Sequence, residues 1–161
     1  MAEWTLVALL AYNFPVYFDT QQQVNAAIII DKSLQIQEDP HFMVALAWTE
    51  SRLKGARVSK TNDYGVFQVN WRYWGRKWGY VNRQKFLADM SSPAHATVAA
   101  AVVLQEMKKY KACRGLNLPA CYNGGPGWQK SKNKEKIIKY ANKVNRMRGI
   151  FKRRFPGWAA R

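Results

Sequence analysis

Apolar positions recur at three- and four-residue intervals along most of the chain, the period of an α-helix. Residues 20 to 36 set Val24, Ile28 and Leu34 among Gln and Asn, which predicts an amphipathic helix. A second helix opens at Asp39, a good N-cap, with Pro40 in its first turn, and is expected to run to about Leu53. Residues 54 to 62 are polar and contain Gly55, which predicts a loop or a small hairpin. Tyr64 to Val69 alternates in character and suits a short strand or the entry to another helix. From Ser92 to Lys111, the apolar run Val98 to Leu104 behind Pro93 predicts a long helix buried on all sides, the central helix of the domain. Residues Asn123 to Gly127 form a glycine-rich break. Beyond it Ile137, Ala141, Val144, Met147 and Phe151 mark a last amphipathic helix that stops before Pro156.

At the N-terminus, Trp4 to Tyr12 is apolar but follows Glu3 and no Lys or Arg, so it lacks the positive start of a secretory signal and is expected to be a helix of the fold. No stretch is long and apolar enough for a membrane-spanning helix. With no repeat and no low-complexity linker, residues 1–161 are expected to form one mainly α domain, with a basic tail from about residue 152.

Charge alters this picture. Residues 1–50 carry net −5, residues 51–125 net +10 and residues 126–161 net +11, giving +16 in all. Such a body implies an anionic partner: nucleic acid, lipid headgroups or a polyanionic cell wall. Cys113 and Cys121 bracket a short loop and permit either a disulfide or two buried thiols. His41 and His95 stand apart from them without ligand-like spacing, so no metal site is expected. Trp71, Tyr73, Trp74, Trp78 and Tyr80 crowd into ten residues, more rings than one small core needs, and some are expected to line a groove where sugar faces stack.

The chemistry centres on Glu50. Met43, Leu46 and Ala47 form one helical face, and Glu50 follows the last two at four and three residues, so its carboxyl group points with the core-facing side chains. Desolvation and the negative end of the helix both disfavour the carboxylate, which suits a general acid.

Three ordered blocks around this residue carry a resemblance. Ala47-Trp48-Thr49-Glu50-Ser51-Arg52, then Gly65-Val66-Phe67-Gln68, then Ala120-Cys121-Tyr122-Asn123-Gly124-Gly125, followed by Tyr140, resemble the SLT-type lytic transglycosylases. The resemblance implies a lysozyme-like fold with a small loop or β-hairpin after the catalytic helix. It implies cleavage of the bond between N-acetylmuramic acid and N-acetylglucosamine, ending in a 1,6-anhydromuramoyl product, with Glu50 as sole acid and base. It further implies that Ser51, Gln68, Asn70, Tyr122, Asn123 and Tyr140 position sugar and carboxyl, and that no metal or organic cofactor takes part.

Asp63-Tyr64-Gly65-Val66-Phe67-Gln68-Val69-Asn70 also looks like a c-type lysozyme segment, in which the Asp is a second catalytic carboxylate. A hydrolase using Glu50 and Asp63 is therefore the alternative. The shorter Glu-to-Asp interval and the missing lysozyme cysteine framework favour the transglycosylase. Two non-enzymatic readings also account for the charge, a wall-binding module and a nucleic-acid-binding protein, but no helix-turn-helix, zinc-finger or aromatic strand signature supports specific nucleic-acid binding. The expected partners are peptidoglycan strands, the anionic envelope through the basic C-terminus, and other virion proteins. High charge and the absent signal suggest a phage-encoded enzyme acting on the wall in the periplasm, on entry or at lysis, with a bacterial envelope-assembly enzyme as the alternative origin.

Overall fold

The structure, a computed structural model, describes residues 18–159. The N-terminal helix expected over residues 4 to 12 lies outside the described residues. Six α-helices and one small hairpin follow: α1 Thr20–Gln35, α2 Pro40–Ser51, β1 Asp63–Tyr64, β2 Val69–Asn70, α3 Arg83–Ser91, α4 Pro93–Lys108, α5 Leu118–Gly124 and α6 Lys134–Arg154. The protein is mainly α, with a lysozyme-like arrangement of helices around a small two-stranded sheet.

Each long helix starts where its sequence supplies a cap. Asp19 accepts from the Gln22 amide at 2.8 Å and opens α1, and Asp39 accepts from the His41 and Phe42 amides at 2.9 and 3.2 Å to open α2. The stripe that α1 buries is Asn25, Ala26, Ala27, Ile29, Ile30 and Ser33, while Val24, Ile28 and Leu34 are only half-buried.

The central helix is α2, not the Ser92 helix as expected. Every residue from Pro40 to Ala47 is buried, because both α1 and α6 pack against the helix. In α4 the alanines and Val103 pack inward, and Val98 and Val102, one turn apart, face solvent at 41% and 46% exposure. Helix α2 stops at Ser51, short of the expected Leu53, because Arg52 and Leu53 take left-handed backbone angles, φ 56° and 61°.

The hairpin pairs Asp63 with Asn70 and Tyr64 with Val69, and Val58 bridges Tyr64 from the preceding loop. Gly65 makes its turn possible: φ is +77°, and a Cβ there would meet the Met90 carbonyl oxygen at 1.9 Å. After the hairpin, Trp71, Trp78 and Tyr80 gather with Tyr64 around Phe86 of α3, at ring-centroid distances of 5.1 to 6.5 Å. Most of the aromatic cluster is thus core, and Tyr73 and Trp74 alone of it border the cleft.

Cys113 and Cys121 form a disulfide that ties the middle of α5 to the short turn after α4. The basic tail expected from about residue 152 belongs to the last helix over its first three residues. Lys152, Arg153 and Arg154 finish α6, and residues Pro156–Ala159 turn back so that Trp158 is buried, stacked on Phe155 and His41.

Candidate active site

Helix α2 delivers Glu50 at its last turn. Because the chain leaves the helix through two left-handed residues, the Arg52 and Leu53 carbonyls point back at α1, where Gln22 Nε2 and Asn25 Nδ2 donate to them at 3.0 and 2.7 Å. The polar residues of α1 therefore brace the end of the helix that carries the acid.

The Glu50 carboxyl group sits where water is largely excluded, and its pKa is pushed up to about 7. Burial is the main cause. The hydrogen bond donated by Tyr140 opposes it, the nearby negative charge of Asp63 reinforces it, and Arg57 opposes it in turn. Burial and the Glu50 charge push the Tyr140 hydroxyl pKa well above its ordinary value, so it remains a donor. Tyr140 stands behind Glu50 on α6, and the same two helices are joined at their other ends by Arg148 and Asp39, 2.6 Å apart. That double tie fixes the carboxyl group relative to the rest of the fold.

Glu50 opens onto a cleft of about 680 Å³. One wall is the hairpin with Thr61, Asp63, Gln68 and Asn70; the facing wall is α5 with Tyr122 and Asn123 and the break behind it. Tyr73, more than half exposed, and Trp74 offer ring faces and edges to an elongated ligand. The hairpin is fastened to α5 by Tyr122, whose hydroxyl donates to the Phe67 carbonyl at 2.8 Å. Burial, with the charges of Glu50 and Asp63, raises the Tyr122 pKa well above the usual range.

Asp63 is held on both oxygens. Ser59 donates to Oδ2 at 2.6 Å, Thr61 donates to the same oxygen, and Asn70 Nδ2 donates to Oδ1 at 2.7 Å. Gln68 spends its amide on the Arg57 and Gly65 carbonyls at 3.0 and 2.9 Å, while its backbone takes a left-handed φ of 48°. Asn70 also caps the turn that follows by accepting from the Tyr73 amide at 3.0 Å.

Of the expected substrate-positioning residues, Gln68, Asn70, Tyr122 and Asn123 border the cleft, with Asp63. Ser51 does not. It is fully buried, its hydroxyl 2.8 Å from the Val66 carbonyl and 3.1 Å from that of Ala47, so it locks the helix end to the hairpin turn and has no surface for a sugar. Arg57 and Thr61 also line the cleft and were not anticipated. Arg57 is one cation among 26 Lys and Arg and carries no local signal. Thr61 had one: Ser59, Thr61 and Asp63 at alternate positions are the spacing at which short hydroxyls bond a nearby carboxylate. Among the described residues no group of three His, Cys, Asp or Glu side chains is placed to hold a metal.

A family model, the transglycosylase SLT domain, matches residues 27–145, a span that contains Glu50, the hairpin, α5 and Tyr140. No curated protein and no solved structure matches the chain.

Proposed function

The chain belongs to the transglycosylase SLT domain family, lytic enzymes that cleave glycosidic bonds of cell-wall peptidoglycan, and from that premise we propose the bond, the product and the residues that act. The bond is the one joining the muramoyl C1 to the oxygen of the following N-acetylglucosamine. Glu50 gives its proton to that oxygen as the bond breaks. The resulting carboxylate then takes the proton of the muramoyl C6 hydroxyl while the C6 oxygen closes on C1. Glu50 ends as it began, no water is consumed, and the product carries a 1,6-anhydro end.

The observation that carries this reading is the environment of Glu50: a carboxyl group at the end of a buried helix, its pKa raised by burial to about 7 and its orientation set by one phenol. The state of Asp63 supports transglycosylation over hydrolysis, because Ser59 and Thr61 of the preceding loop and Asn70 of the paired strand hold both of its oxygens. Asp63 then serves as a fixed charge that steadies positive character at C1 and keeps Glu50 protonated. Gln68, Tyr122 and Asn123 shape the walls, Asn70 holds Asp63, and Tyr140 positions the acid.

The enzyme acts on wall peptidoglycan, in the periplasm or outside the cell. Its exposed helix α6 face suits that setting. Lys136, Lys139, Lys143 and Arg146 follow one another at three- and four-residue steps on a single exposed stripe, and none enters an ion pair among the described residues. This stripe, with Lys152 to Arg154, is the surface proposed for the anionic envelope. The charge also fits a phage-encoded enzyme that opens the wall on entry or at lysis.

The test is mass spectrometry of products released from purified peptidoglycan by the native chain and by the Glu50→Gln and Asp63→Asn variants. Muropeptides lighter by one water than reducing-end products, abolished by Glu50→Gln, are the expected result. Reducing ends that disappear with Asp63→Asn would make the enzyme a hydrolase instead.

A further inference from the structure

The cleft is lined by two carboxylates, Glu50 and Asp63, and by one cation, Arg57. Arg57 lies on the connector between α2 and the hairpin, and its backbone is held firmly. Its carbonyl accepts from the Gly65 amide at 2.9 Å and from Gln68 Nε2 at 3.0 Å, and its own amide donates to the Lys54 carbonyl at 3.3 Å. Its guanidinium, by contrast, enters no ion pair and no hydrogen bond among the described residues.

The two carboxylates of the cleft take their hydrogen bonds from other residues, while the Arg57 charge acts on Glu50 without a direct contact. Asp63 accepts three hydrogen bonds, from Ser59, Thr61 and Asn70. Glu50 is desolvated and bonded to Tyr140. A planar, five-donor guanidinium on a fixed backbone, exposed at an open cleft and with none of its donors taken by a side chain or carbonyl among the described residues, can take a carboxylate from outside.

From this geometry we infer that Arg57 determines substrate specificity by binding a carboxylate carried on the lactyl substituent of the muramoyl sugar. The carboxylate is either the free lactyl group of a peptide-stripped strand or one belonging to the stem peptide attached there. The inference rests on the peptidoglycan reading above and goes beyond it. Polymers of N-acetylglucosamine offer the same kind of glycosidic bond without that substituent, so Arg57 would separate the two substrate classes.

The experiment measures binding in the Glu50→Gln chain, which holds substrate without turning it over, and in the same chain with Arg57→Gln or Arg57→Lys. Three soluble ligands are compared by calorimetry: peptide-bearing glycan fragments, amidase-stripped fragments and a neutral chitooligosaccharide. Arg57→Gln should weaken at least one of the two muramoyl ligands about tenfold and the chitooligosaccharide less than about twofold, with Arg57→Lys recovering part of the loss. Whichever muramoyl ligand loses more identifies the source of the carboxylate. Equal weakening of neutral and muramoyl ligands, or no weakening of either, would overturn the inference; a thermal melt of each variant verifies that it is folded. Absence of binding by all three ligands to the Glu50→Gln chain would bring down the cleft assignment itself and this inference with it.

Discussion

At the scale of single residues, Glu50 couples function to stability through its protonation. Its folded pKa of about 7 lies above the ordinary glutamate value, so the folded state favours the neutral acid. The stabilising contribution is therefore complete at acid pH and is lost as pH rises through about 7. Glu50→Gln removes the charge that burial penalises while keeping an acceptor for Tyr140. The variant should match the native chain below about pH 4.5 and exceed it by about 1–3 kcal/mol above pH 8, a difference read from urea melts across pH. A constant difference at every pH would mean that the carboxyl group is not desolvated. Under the role proposed for Glu50, the same titration should set the alkaline limb of activity, because only the protonated acid can serve a leaving oxygen.

At the scale of elements, the site depends on a short turn being fixed against a helix end. Ser51 ties α2 to Val66, Tyr122 ties α5 to Phe67, and Gly65 lets the turn pass against Met90. Gly65 satisfies two demands at once, a left-handed φ and the absence of a Cβ facing a backbone oxygen. Gly65→Ala should therefore cost at least about 2 kcal/mol, seen as a lower melting temperature, with a loss of activity larger than the loss of folded protein explains. An unchanged melt would show that the hairpin relaxes freely away from α3.

For the whole molecule, charge and fold divide the labour. The core is formed around α2, and the excess of Lys and Arg is left on the outer face of α6 and the connectors. Binding to isolated walls should weaken steeply between about 50 and 200 mM salt, and Lys136→Glu with Lys143→Glu should flatten that slope while leaving the melting temperature within about 2 °C. A slope unaffected by the double substitution would place the wall contact elsewhere. Periodicity and caps in the sequence were enough to locate α1, the start of α2, the start of α4 and the course of α6, because those signals are local. The blocks at Glu50, Gly65 to Gln68 and Ala120 to Gly125 carried the resemblance to the family whose model matches residues 27–145, because such motifs are local in the chain. Which helix becomes central, that Ser51 is buried, that Tyr140 reaches Glu50 across 90 residues, and that Asp63 accepts three hydrogen bonds while the Arg57 guanidinium makes none among the described residues were decided only by the tertiary structure. Those outcomes depend on which surfaces meet across long stretches of chain, and burial and pairing energies are set where they meet.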